Sequence, residues 1–175
     1  MKNILFSLFV FTLLISCDNQ VVQYPVAYSN DDFIQRSQER GKLLLKEETE
    51  WFETYKENSK LTFNKTESGF WISNEGIKKE TTAKLGDYVQ YTFQVSDLDD
   101  NIIYSFQEIG NQKAILGKTD IIRGLHAALQ IIEKGNEAKI LLPSFLAYGG
   151  LGDNEKITPN QPIIIDLKII DIKKN

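Results

Sequence analysis

The sequence predicts an α+β fold, an antiparallel sheet wrapped around one short helix and preceded by a longer amphipathic helix. Between Asp31 and Asn58 the apolar residues recur at near-helical spacing, whereas after Lys60 they alternate with period 2 in short runs broken by turn residues. Within the alternating region a single helical spacing survives: Leu125, Leu129 and Ile132, at i, i+4 and i+7, entered after Gly124. Length sets the scale. A chain of 175 residues holds one core plus an appendage, and 10 Phe, 7 Tyr and 2 Trp are too many for a disordered polymer.

Residues 1–16 carry Lys2, a nearly unbroken apolar run from Ile4 to Ile15, and Ser16, with Cys17 directly after. The run is short for a permanent bilayer span and has the layout of a cleaved export signal. Leu14-Ile15-Ser16-Cys17 resembles a bacterial lipobox, which implies cleavage before Cys17 and lipidation of its thiol, so that several acyl chains anchor the mature protein. The competing reading is an incidental thiol behind an ordinary signal peptide. It is disfavoured because Cys17 is the only cysteine, follows a small residue at the end of the apolar run, and precedes polar Asp18, Asn19 and Gln20. The expected address is the bacterial cell envelope, as a membrane lipoprotein, with inner or outer membrane left open.

Residues 17–30 lack periodicity and contain Pro25, which predicts an extended tether. Ser29, Asn30 and Asp31 offer N-caps for one amphipathic helix over 31–58, with Gly41 the point at which it could break. Its apolar stripe, Ile34, Leu44, Trp51 and Tyr55 with Leu45 and Phe52 beside it, is expected to pack on the following domain or on a second copy of the chain. Glu47, Glu48 and Glu50 read as a solvated face, whose acidity disfavours lipid.

From residue 60 to 175 the chain reads as one sheet domain. Leu61 to Lys65 and Gly69 to Ser73 form an opening hairpin around Glu67 and Ser68, with Asn74-Glu75-Gly76 as the next turn. Val89, Tyr91, Phe93 and Val95 share one face of a strand that Asp99-Asp100-Asn101 turns back; Ala138, Ile140 and Leu142, then Ile165, Leu167 and Ile169, repeat the alternation.

Composition excludes several chemistries. A net charge of -4 leaves no basic surface for a phosphate backbone, so nucleic acid is not an expected partner. One Cys and one His cannot assemble a disulfide framework or a transition-metal cage within the chain, and neither metal nor cofactor is expected. Asp97, Asp99, Asn101 and Glu108 approach calcium-loop spacing, but Ile102 occupies the position that needs Gly, and the flanks read as strands; a polar hairpin turn explains them. His126 follows Leu125 on the short helix and reads as solvated. Asn64-Lys65-Thr66 matches a glycosylation sequon, of little weight in a bacterial lipoprotein.

Ile115-Leu116-Gly117-Lys118, Ile121-Ile122-Arg123-Gly124-Leu125, Lys134-Gly135, Leu142-Pro143 and Leu146-Ala147-Tyr148-Gly149 follow one another in an order and spacing that resemble the FK506-binding-protein (FKBP) family of peptidyl-prolyl cis-trans isomerases. Tyr88 to Thr92 and Ile157 to Asn160 extend the similarity to roughly residues 60 to 173. The resemblance implies an FKBP-like half-barrel around its short helix, and an apolar pocket that twists an X-Pro amide without acid, base or metal. By position, Tyr91, Tyr104, Ile121, Ile122, Leu125, Tyr148 and Ile165 would be its walls, and Ser105 and Ile157 its rim. The Ile122 N–H and the Tyr148 hydroxyl would hold the bound peptide.

The departures are specific. Leu125 stands where the family often has a floor Trp, Ser105 where it usually has an Asp beside the pocket, and Tyr104 and Ile165 replace two Phe. The overall layout is similar to gliding-motility-associated isomerase lipoproteins of Bacteroidetes. Expected partners are X-Pro segments of exported client proteins, the membrane through Cys17, and a second copy or a motility complex through the 31–58 helix. The rival expectation is a non-catalytic scaffold that grips partners in the same cleft.

Overall fold

The computed structural model describes residues 31–73 and 82–175, with side chains from residue 33 onward. The expected export signal, Cys17, the expected tether and the expected Asn74-Glu75-Gly76 turn lie outside the described residues. Ser37–Asn175 forms one compact unit, to which the packing below refers.

Helix α1 (Asp31–Asn58) is 28 residues long and runs unbroken through Gly41, as one helix over 31–58. The Leu, Lys, Glu, Gln and Arg around that glycine are strong helix formers, which offset a local cost of about 1 kcal/mol. Its contact face is rotated from the expected one. Trp51 and Leu45 are exposed, whereas Glu48 and Phe52 are fully buried and Leu44 and Tyr55 partly so. Phe52 packs on Trp71 with ring centroids 5.1 Å apart, and Leu141 and Ile164 complete that cluster.

After α1 come β1 (Phe63–Lys65), β2 (Trp71–Ser73), β3 (Tyr88–Ser96), β4 (Ile102–Tyr104), the one-turn α2 (Phe106–Ile109), β5 (Gln112–Ile115), α3 (Arg123–Ala128), β6 (Glu137–Leu142) and β7 (Ile163–Lys173). All the pairings are antiparallel, in the order β1-β2-β6-β7-β3-β4, with β5 also on β3. This is the mixed helix and open-sheet architecture expected, with its short helix packed into the main core.

Alternation along the strands gives the sheet two working faces. The row Trp71, Leu141, Ile164, in register across β2, β6 and β7, faces α1. The next row, Ile72, Ile140, Ile165 and Val95, faces the main core with Leu125, Leu129 and Ile132. Leu125, Leu129 and Ile132 are all buried, as their spacing predicts. Gly124 lets α3 approach the sheet, because a methyl group there would overlap the Leu142 side chain.

Two polar residues depart from expectation. His126 is not fully solvated: its Nε2 accepts the Gly117 N–H at 3.1 Å, tying α3 to the turn after β5. Glu48, expected on a solvated face, is fully buried; its Oε2 accepts the Ser144 N–H at 3.0 Å while Oε1 has no partner among the described residues. Asp97 behaves as a hairpin-turn residue, its carboxylate accepting the N–H groups of Asp99 and Asn101, each at 2.9 Å.

Burial pushes the Glu48 carboxyl above its ordinary pKa, against the pull of its hydrogen bonds to Ser144. Such a group adds stability below its unfolded value of 4.5, and that stability is lost as pH rises through the folded value. Glu48→Gln keeps an acceptor for Ser144 and removes the titration. In thermal melts of the full chain, the Tm of Glu48→Gln relative to wild type is expected to increase as pH is raised from about 4.5 to about 8; a difference independent of pH would count against a buried, titrating Glu48.

Candidate functional site

Strand β3 sends Tyr91 and Phe93 to the same face two residues apart, and their rings stack with centroids 6.0 Å apart. Around them the fold gathers Tyr104 at the end of β4, Ile109 at the end of α2, Ile121 and Ile122 before α3, Leu125 on α3, and Tyr148 between two short 3-10 turns. They line an open cavity of about 620 Å³. Tyr91 and Leu125 are nearly sealed beneath it, at 2% and 3% exposure, so the floor is dry while the mouth is open.

Six of the seven expected wall residues therefore line one cavity: Tyr91, Tyr104, Ile121, Ile122, Leu125 and Tyr148. Ile165 does not line it. It is fully buried between Val95 and Ile140 in the adjoining core, a consequence of its position in the middle of the sheet. Neither expected rim residue lines it. Ser105 caps α2, its Oγ accepting the Glu108 N–H at 3.3 Å. Ile157, 3% exposed, points into the main core and pins the overhanging loop.

The carboxylate that Ser105 does not supply comes from another loop. Asp153 Oδ2 accepts the Tyr104 hydroxyl at 2.5 Å, and its Oδ1 accepts the N–H groups of Glu155, Lys156 and Ile157 at 2.9, 3.0 and 2.8 Å. Desolvation alone would raise the Asp153 pKa; the Tyr104 hydroxyl and these N–H groups outweigh it and hold the carboxyl below its ordinary range. The same contact, with burial, raises the Tyr104 phenol, while burial and the Asp153 charge raise that of Tyr148. Both stay protonated donors at neutral pH. Gly152, at φ +70°, makes room for the loop, since a side chain there would overlap the Ile157 carbonyl.

Two of the donors that lining residues leave free sit where a bound peptide would need them. Among the described residues, neither the Ile122 N–H, at the N-terminal boundary of α3, nor the Tyr148 hydroxyl has a hydrogen-bond acceptor. An apolar basin with uncommitted donors can hold a peptide through its carbonyls while its walls take up an aliphatic ring.

The sequence profile of the FKBP-type peptidyl-prolyl cis-trans isomerases matches residues 79–170, more than half of the chain. The chain belongs to that family. Its FKBP-type domain is 39% identical over 72 residues to a peptidyl-prolyl cis-trans isomerase FKBP10 of Bos taurus, covering 41% of this chain and 12% of that protein. It is 27% identical over 120 residues to the outer membrane protein MIP of Legionella longbeachae, covering 65% of this chain and 52% of that one. The chain thus spans about an eighth of the bovine relative and half of the Legionella one. A crystal structure of a peptidyl-prolyl cis-trans isomerase from Pseudomonas syringae has the same fold, with TM-score 0.61 at 21% identity over 76% of this chain and 96% of that one.

Several lining residues of this FKBP-type domain were not assigned to the site from sequence: Phe93, Glu108, Ile109, Gln112, Asp120 and Glu155. Phe93 carried a usable signal, two positions after Tyr91 on one strand face. The others depend on how loops fold back. Asp153→Ala is expected to speed hydrogen exchange at the amides of Glu155, Lys156 and Ile157 by about fivefold or more, as the loss of hydrogen bonds each worth about 1 kcal/mol requires. Because the folded pKa of Asp153 is depressed, the stability it gives is present above its unfolded value of 3.8 and is lost as pH falls through the folded value. Unchanged exchange in the variant would exclude Asp153 as the loop's organiser.

Proposed function

We propose that this protein is a peptidyl-prolyl cis-trans isomerase acting on X-Pro segments of exported or envelope proteins, held at a bacterial membrane through lipid on Cys17. The observation that carries the catalytic part is the convergence of Tyr91, Tyr104, Ile121, Ile122, Leu125 and Tyr148 on one open cavity with two uncommitted donors. Family membership supplies the reaction class.

An X-Pro bond rotates over a barrier of roughly 20 kcal/mol set by amide resonance, in tens to hundreds of seconds unaided. In the twisted transition state resonance is lost and the carbonyl oxygen carries less negative charge. A dry aliphatic and aromatic wall solvates the planar, more polar ground state poorly and so favours the twisted form by difference. The Ile122 N–H and the Tyr148 hydroxyl then hold neighbouring carbonyls while the proline ring rests on Leu125. No covalent bond forms and no proton leaves, so the site needs neither base nor nucleophile.

The anchoring part rests on the lipobox-like Leu14-Ile15-Ser16-Cys17. It is in keeping with the Legionella relative, which is named an outer membrane protein. The 31–58 helix and tether, in this reading, carry the catalytic domain clear of the lipid, and a gliding-motility setting is one such envelope role.

An NMR exchange assay with the full chain in detergent, on peptides varying the residue before Pro, tests the activity; rates equal to the uncatalysed control throughout would leave the non-catalytic scaffold. Ile122→Asp is expected to abolish turnover by wetting the wall, and Tyr148→Phe to lower kcat/KM about two- to tenfold, the loss of one hydrogen bond. Full activity in a folded Ile122→Asp protein would remove the pocket from the reaction. Cys17→Ser is expected to abolish radioactive palmitate incorporation and release the protein from membranes; continued labelling would refute lipidation at Cys17.

A further inference from the structure

The charged residues that line the cavity are Glu108, Asp120 and Glu155, all carboxylates; the rest are aromatic, aliphatic or, at Gln112, neutral. Lys156 offsets only Glu108. Its Nζ lies 2.5 Å from Glu108 Oε1, donates to the Ile103 carbonyl at 3.2 Å and sits 4.5 Å from the Tyr104 ring centre. The nearest cation in sequence to the wall, Arg123, is committed elsewhere, donating from Nη2 to the Phe145 carbonyl at 2.6 Å. Asp120 and Glu155 are exposed and make no ion pair among the described residues. Asp153, behind Tyr104, adds a further carboxylate of the same sign.

A low-dielectric floor under a one-signed rim focuses the field at the mouth. With proline on the floor, each further peptide residue advances at most about 3.5 Å, so side chains one or two positions away fall at the rim, inside a Debye length of about 10 Å. Among the described residues no cluster of His, Cys, Asp and Glu is tight enough to hold a metal ion.

We propose that this rim makes the cleft selective for X-Pro segments carrying Lys or Arg within two residues of the proline, and disfavours those carrying Asp or Glu there. The inference rests on the isomerase reading and adds a substrate preference to it.

The test uses the full chain in detergent and blocked peptides Xaa-Leu-Pro-Xaa in which both Xaa are Lys, Ala or Glu. Turnover is read by NMR exchange and affinity by chemical-shift titration. At low salt the Lys peptide is expected to exceed the Glu peptide by about three- to tenfold in kcat/KM and in affinity, with Ala between, as weak exposed charge pairs allow. The ratio is expected to fall toward one in about 1 M NaCl and in the double variant Asp120→Asn, Glu155→Gln. Equal Lys and Glu values beside measurable turnover of the Ala peptide would overturn the preference and leave the isomerase standing. Binding without turnover of any peptide would overturn the isomerase reading, and the affinity order then decides the preference alone: Lys above Glu upholds it, and equality overturns it.

Discussion

Nine residues of β3 pair with β7, from Tyr88 opposite Lys173 to Ser96 opposite Ile164, and this register decides what each face of the sheet can do. Side chains alternate along a strand, so a slip of one residue would turn Ile165, Leu167 and Ile169 out of the core and expose them on the opposite side. In the observed register these three meet Val95, Phe93 and Tyr91 across the pair. The irregularity between Gln90 and Tyr91 absorbs one residue of β7 and leaves the aromatic pair on the face of the main core. Every later feature of the cavity presupposes that placement: β4 and β5 hang from β3, and α3 packs against the core that the β3–β7 pair builds.

The cavity divides its tasks by depth. Tyr91 and Leu125 make a dry floor, while Glu108, Asp120 and Glu155 stand where solvent still reaches them. The proposed chemistry needs this division. A carboxylate at the floor would bring water with it and restore the solvation that the planar amide is meant to lose. Leucine in place of a larger aromatic keeps the floor apolar. The Tyr104 phenol would be a polar intrusion of the same kind, but Asp153 engages its hydroxyl at 2.5 Å and leaves the ring as wall.

What the sequence made legible was whatever depends on local period or on an ordered motif. Period 2 located β3, β6 and β7, the i, i+4, i+7 spacing located buried Leu125 on α3 and buried Leu129 and Ile132 just past its end at Ala128, and the motif positions found six residues that share the cavity. What stayed illegible depends on depth and on loops. Ile165 sits on the correct face of the correct strand, yet Val95 and Ile140 flank it across the ladder and bury it. Asp153 lies 49 residues from Tyr104, on a loop whose course is set by its own N–H contacts, so no spacing rule joins the two. Ser105 could be read as a missing carboxylate but not as the cap of a one-turn helix.

The rotation of α1 shows how a polar group can settle what apolar pattern leaves open. Trp51 and Phe52 are adjacent, about 100° apart around the helix, and burial of either would contribute a comparable hydrophobic gain. Hydrophobicity alone does not choose between them. Glu48, Phe52 and Tyr55, at i, i+4 and i+7, share the face that is used, and each end of that row makes one directed hydrogen bond. Glu48 accepts from Ser144 at 3.0 Å, and Tyr55 donates to Asp100 at 2.8 Å. Turning the helix to bury Trp51 would break both bonds and leave the Ser144 N–H, already out of water, without an acceptor, a cost of about 1–3 kcal/mol. A buried carboxyl is a poor source of stability, as its raised pKa records. Its contribution here is orientation: it fixes which aromatic enters the Trp71, Leu141 and Ile164 cluster, and it ties the helix to the turn that leads into Tyr148.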